Sequence, residues 1–196
     1  VAHKDSGIKT LADLAGKRVS VGAVGGSVEL TSENLFKCAG IDPASIKKEY
    51  LGHSESVAAL QDKQIDAAIT VGAIGISSVV EPMTLGIVDL IDVPDEVVAK
   101  MIEITPYYAP LTIPKDSYKG QTRDVKTFCS PNILAVHEKL SEESVYQMTK
   151  ALFDHKQDLV VISARMSEMD PSYVKDIKIP LHPGAEKYYK EIGAVK

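Results

Sequence analysis

The clearest chemical signal in the chain is one short stretch, Val19-Ser20-Val21-Gly22-Ala23-Val24-Gly25-Gly26-Ser27-Val28-Glu29. A β-branched run ends at a glycine, a small-residue turn follows, and a helical pattern begins near Ser27. The first N–H groups of such a helix lack intrahelical acceptors and sit at the positive end of its dipole, which suits an anionic group. Gly25 and Gly26 let backbone approach a ligand, and Ser27 adds a hydroxyl that either donates or caps the helix. Two readings therefore stand side by side, an anion receptor and an ordinary βα turn. No lysine follows Gly26 as a phosphate-binding P-loop requires, and the Gly22-x-x-Gly25 spacing misses the dinucleotide pattern.

Two further junctions could share that edge. Thr70-Val71-Gly72-Ala73 follows an apolar strand pattern, and Gly52-His53-Ser54-Glu55 precedes a helix. Ligands of open parallel sheets lie beyond the carboxyl ends of the strands, so three small or hydroxylated junctions there make a pocket. The candidate ligand-binding residues are Ala23, Gly25, Gly26, Ser27, Val28, Ser54, Thr70, Gly72 and Tyr107. Tyr107 and Tyr108 either stack on a ligand or pack in the core. His53 either touches ligand or is a solvated loop residue.

Catalytic and metal chemistry find little support. None of the five histidines pairs with another at i+3 or i+4, no HExxH occurs, and no metal site or cofactor is expected. Ser27 lacks a G-x-S-x-G elbow, so no catalytic residue is assigned. Asp66, in an otherwise apolar run, is expected at a strand entrance making hydrogen bonds, because an unpaired buried carboxylate is costly. His182, ahead of Pro183-Gly184, reads as part of a structural turn.

The elements that must position these residues alternate. Strands are expected at Lys17–Gly22, Lys48–Leu51, Ile65–Val71 and Ile87–Leu90. Helices are expected at Ser27–Ala39 (stopped by Gly40), His53–Lys63 (capped by Ser54), Ala73–Pro82, and Pro94–Glu103 with Pro94 in its first turn. That rhythm implies βαβ units around a parallel sheet, the Ile65–Val71 strand being covered on both faces. Longer extended runs follow at Tyr107–Ile113 and Val125–Val136, joined by a turn containing Asp116, Lys119 and Gly120. The rest is mostly helical, with Ser141–His155 and Ala185–Ile192 needing an apolar surface that the chain does not obviously supply.

Composition narrows the class further. The chain has 196 residues, 44% hydrophobic and 25% charged, enough for a substantial core. Its net charge of -5 and dispersed basic residues argue against nucleic acid, and no apolar run is long enough to span a membrane. Cys38 and Cys129 are either two thiols or one disulfide, so they leave the compartment open.

The order of several motifs resembles one family. Ile8-x-x-Leu11-x-Asp13-Leu14-x-Gly16-Lys17-Arg18-Val19-Ser20-Val21-Gly22 leads into the glycine turn and Glu29. Ala59-Leu60-x-x-x-x-Ile65-Asp66-Ala67 and Ile113-Pro114-x-x-x-Tyr118-x-Gly120 follow. Tyr146-x-x-Thr149-Lys150-Ala151-Leu152-Phe153 and His182-Pro183-Gly184-Ala185-x-x-Tyr188-Tyr189-x-Glu191-x-Gly193 complete the series. Together they resemble the TAXI family of TRAP-transporter solute receptors over essentially the whole chain. Two positions depart from that family's pattern: Val28 replaces a hydroxyl residue, and Ala73-Ile74 stands where a proline is usual.

The resemblance implies an α/β fold of the type II periplasmic binding-protein kind, with one complete lobe, hinge strands, and the C-terminal helices of a partial second lobe. It places a hinge strand at 1–8, the lobe at 9–105, a return segment at 106–136 and helices at 137–196. It implies a non-enzymatic extracytoplasmic receptor, periplasmic or extracellular and either free or membrane-anchored ahead of Val1. That receptor binds a small carboxylate or amino acid and delivers it to TRAP membrane permease subunits. An α/β enzyme or a ligand-sensing regulatory domain is the alternative. Family members carry further sequence before the segment that starts here, so the chain reads as a fragment expected to bind weakly and to self-associate. Micromolar binding needs about 8 kcal/mol, and one helix N-terminus gives at most ~2 kcal/mol, so the turn alone cannot hold a solute.

Overall fold

Val19, Val21, Ala67 and Ala68 are almost wholly buried, and the central sheet is built around them. The computed structural model describes residues 1–177 and 179–196. The chain forms two compact units, Val1–Cys129 and Ser130–Lys196.

In the first unit the sheet runs β3 (Lys47–Glu49), β2 (Arg18–Ser20), β4 (Ala67–Ala68), β1 (Ala2–His3), β5 (Val88–Asp89). Strand β2 is parallel to both β3 and β4, the βαβ arrangement expected from the alternation. Strand β1 departs from that expectation. It lies antiparallel between β4 and β5, pairing Ala2 with Ala67 and with Asp89, so the sheet is mixed rather than parallel. The single expected strand over Val1–Ile8 is also shorter: a 3₁₀ turn at Lys4–Ser6 ends it, and Gly7 turns the chain at φ 75°.

Alternation along the strands serves two cores. Val19 and Ala67 join one cluster with Leu35 and Phe36 of α1 (Ser27–Cys38) and Val97, Val98 and Met101 of α4 (Asp95–Ile104). Ala68 joins the other, with Leu60 of α2 (His53–Gln61) and Val79 and Met83 of α3 (Ser77–Thr84). A sheet covered on both faces is what the apolar run around Ala67 requires. The strand there is shorter than Ile65–Val71, however. Its ladder closes with Ile69 N–H donating to the Ser20 carbonyl at 2.9 Å, and Val71 is exposed beyond the sheet. Asp66 stands at the entrance. Its carboxylate accepts from Arg18 Nη2 at 2.7 Å, Arg18 Nε at 3.2 Å and the Arg18 backbone N–H at 2.8 Å. The hydrogen bonds from Arg18 hold the Asp66 carboxyl below its ordinary value.

Three helix starts of the first unit differ from the sequence expectation. Helix α2 is capped by Gly52 rather than Ser54, and the Glu55 carboxylate accepts the Gly52 N–H at 2.7 Å. Helix α3 begins at Ser77, not Ala73, because Gly75 takes φ 87° and donates its N–H to the Tyr118 hydroxyl at 3.0 Å. Pro94 is the cap of α4 rather than its first helical residue. Gly40 turns left-handed (φ 71°) directly after α1, as a C′ glycine does. Cys38 is a buried thiol of α1, and burial pushes its pKa up.

Strands β6 (Ala109–Ile113) and β7 (Val125–Cys129) form an antiparallel ribbon from Ala109↔Cys129 to Ile113↔Val125. The Gln121 amide clips the intervening turn by donating to the carbonyls of Pro114 and Arg123, both at 2.9 Å. The extended run expected to reach Val136 ends as a strand at Cys129.

The second unit is helical. Helix α5 (Glu142–Asp154) is capped by the Ser141 hydroxyl, and α6 (Lys156–Ile162) follows across His155. Helix α7 (Pro183–Glu191) starts at His182, whose Nδ1 accepts the Gly184 N–H at 3.2 Å while its Nε2 lies 3.1 Å from the Leu140 carbonyl. His182 is thus the structural turn residue its Pro-Gly context suggests. Tyr146, Phe153, Tyr188 and Tyr189 pack between α5 and α7. Val161 and Ile162 of α6 stay exposed.

Candidate functional site

Strands β2, β3 and β4 run in one direction, so their carboxyl ends share an edge of the first unit, and each is followed by a helix. After β2, Gly22 takes φ 85°, a conformation that costs an L-residue strain. The chain then turns over Ala23–Gly26, with the Gly26 N–H donating to the Ala23 carbonyl at 3.0 Å and Gly25 left-handed at φ 73°. Glu29, in the first turn of α1, reaches back so that its carboxylate accepts the Gly25 N–H at 2.6 Å.

Those bonds correct the donor assignment. The N–H groups of Gly25 and Gly26 are committed inside the turn, so neither is offered outward. Gly26, not Ser27, is the N-cap. Ser27 and Val28 are the first two helical residues, and their N–H groups are among those a helix leaves without an internal acceptor.

The three junctions meet at a cavity of about 180 Å³. The β2–α1 junction contributes Gly22, Ala23, Gly26, Ser27 and Val28. From the β3–α2 junction come Leu51, Gly52, His53, Ser56 and, further along, Leu60. The β4–α3 junction supplies Ala68, Ile69, Thr70 and Ser78. Of the nine residues chosen from sequence, Ala23, Gly26, Ser27, Val28 and Thr70 stand on this wall.

The other four do not. Gly25 lies in the turn but does not line the cavity. Ser54 is exposed on α2, one residue past the His53 that lines the cavity. Gly72 serves packing, since a Cβ there would come 2.4 Å from Ile76 Cδ1. Tyr107 is 62% exposed, meets Tyr108 edge-on at 5.5 Å and does not line the cavity. Tyr108 takes the core role, packing edge-on against Phe128 at 4.9 Å.

Sequence reasoning missed Ser56 and Ser78. Ser56 Oγ donates to the Gly52 carbonyl at 2.8 Å and lies 2.7 Å from Ser20 Oγ, tying α2 to β2 beneath the cavity. A hydroxyl four residues after a capping glycine was a usable signal for it. Ser78 was hidden by the misplaced start of α3, which put it in mid-helix instead of the first turn.

Among the described residues the wall holds no Asp, Glu, Lys or Arg. Its polarity comes from three helix N-termini, each carrying roughly half a positive charge, and from hydroxyl groups. Such an arrangement binds an anionic or hydrogen-bond-accepting group against an apolar floor of Leu51, Leu60, Ala68 and Ile69. Among the described residues no cluster of three His, Cys, Asp or Glu could hold a metal ion, and no helix is long and apolar enough to cross a membrane.

A lobe covered on both faces, with a cavity beyond the carboxyl ends of its parallel strands, is an open α/β module whose cleft lies where such sheets take their ligands. The chain belongs to the NMT1-like family, whose profile matches residues 1–193. Among solved structures it is similar to the periplasmic aliphatic sulphonate binding protein SsuA from Escherichia coli, with a TM-score of 0.46 and 17% sequence identity. The alignment covers 100% of this chain and 64% of that one. The chain thus spans just under two thirds of the length of that binding protein.

Proposed function

We propose that this chain is the ligand-gripping part of a non-enzymatic extracytoplasmic solute receptor of the TAXI type. It binds a small carboxylate or amino acid and hands it unchanged to a TRAP-type permease. The observation that carries this reading is the cavity at the β2–α1, β3–α2 and β4–α3 junctions, where three helix N-termini meet with no charged side chain in the wall. The segment 1–8 and the β6–β7 ribbon serve in this reading as connections to a second lobe that closes over the ligand. Closure is favoured by the ligand's differential affinity for the closed state.

Calorimetry with L-glutamate, succinate and a short alkyl sulfonate tests it, with mass spectrometry of the recovered solute. Saturable binding and unchanged solute are expected; turnover of any bound solute refutes the receptor reading. The exposed apolar residues of α6 belong to the same proposal as a source of self-association, which sedimentation velocity detects as a concentration-dependent shift.

A further inference from the structure

One side chain in the cavity wall has an unmet requirement. Ser78, in the first turn of α3, is 6% exposed, and its buried Oγ has no hydrogen-bond partner among the described residues. A serine in a helix commonly turns its hydroxyl back to a carbonyl one turn earlier, as Thr31, Ser32 and Ser56 do in this unit. Ser78 does not. Around it the second core is apolar, with Leu60 and Ala68 on the same wall. A buried hydroxyl without a partner destabilises a fold, so its presence calls for a partner that arrives from the cavity.

We infer that Ser78 is a ligand-contacting residue, its hydroxyl donating to an acceptor oxygen of the bound solute; this rests on the receptor reading above. Ser56, the other buried hydroxyl of the wall among the described residues, already donates to the Gly52 carbonyl and lies 2.7 Å from Ser20 Oγ, so of the two Ser78 is the unspent one. No carboxylate stands in the wall to pair with an ammonium. The three helix N-termini disfavour a cation and favour an acceptor there, so the group that meets Ser78 is an anionic or neutral oxygen rather than an ammonium. Recognition here is by hydroxyl and helix N-termini rather than by ion pairing.

The test compares wild type with Ser78→Ala in two measurements. Calorimetry against L-glutamate and succinate is expected to show about 5- to 15-fold weaker binding of whichever probe the wild type takes, the value of one hydrogen bond. Urea unfolding without ligand is expected to show the variant as stable as wild type or more so, because an unsatisfied hydroxyl has been removed. Ser78→Thr, which keeps the hydroxyl, should bind more tightly than Ser78→Ala. Unchanged affinity in Ser78→Ala, or a clear loss of ligand-free stability, overturns the inference and leaves the receptor reading standing. Wild-type protein that binds neither probe sinks the receptor reading for these solutes and this inference with it.

Discussion

Gly22→Ala probes how the glycine turn holds the start of α1. The new Cβ would lie 2.5 Å from Val28 Cβ and 2.9 Å from Val28 Cγ1. Carbon atoms pack at about 3.5–4.0 Å, so the helix start must retreat by roughly 1 Å. Val28 Cβ is fixed to the helix backbone, and rotation about χ1 cannot relieve the closest contact. Overpacking of this kind costs about 1–3 kcal/mol. The left-handed backbone at φ 85° adds about 1–2 kcal/mol for an L-residue. The sum is about 2–5 kcal/mol.

The double variant Gly22→Ala/Val28→Gly separates the two contributions. Removing Val28 Cβ abolishes the clash but leaves the backbone strain, so the pair should be less destabilised than the single effects summed, by about 1–3 kcal/mol. Native-state amide exchange at Val21 and Ile69, whose N–H groups bond to the Glu49 and Ser20 carbonyls, reports this unit by itself. Additivity within about 0.5 kcal/mol would refute the packing argument.

Three other perturbations have definite expected outcomes. Asp66→Asn removes the carboxylate that grips Arg18. Because that carboxyl titrates below its unfolded value, its contribution is complete above the unfolded pKa and lost as pH falls through the folded one, so the variant's deficit in urea midpoint should shrink from pH 7 to pH 3. Gly184→Ala places a Cβ 2.2 Å from the Glu142 carbonyl oxygen and 2.7 Å from Tyr146 N, both backbone atoms. Separation of α5 and α7 should cost about 2–3 kcal/mol, read as loss of near-ultraviolet tyrosine signal at lower urea. Cys38, buried and with its pKa raised, should react with a maleimide far more slowly in native protein than in urea at pH 7; equal rates would contradict the packing of α1.

Much of the first unit was legible because local signals agreed with the tertiary outcome. Gly40 marks the end of α1 as a C′ glycine. The Asp66 entrance followed from the cost of an unpaired carboxylate. The misses have physical sources. The direction of β1 depends on which strands flank it, and Ala2-His3 is too short to show any period. Gly75 delayed α3 because its left-handed backbone cannot join a helix, and that shift concealed Ser78. The glycine turn stands between β2 and α1 as expected, but its own hydrogen bonds consumed two of the donors it was expected to offer. Whether an N–H faces a ligand depends on what its neighbours already hold.

Strand β1 also bears on how the first unit assembles. Among the described residues strand β5 pairs with β1 alone, and β1 joins it to the β3–β2–β4 parallel core. A two-residue segment at one end of the chain therefore bridges contacts made far along it, a non-local arrangement whose loop closure must precede its reward. The parallel core can form from its own neighbouring βα units and take α4 against α1, while β5 waits for β1 to insert. The unit is thus expected to refold with a slow final phase in which its first residues are the last to be protected.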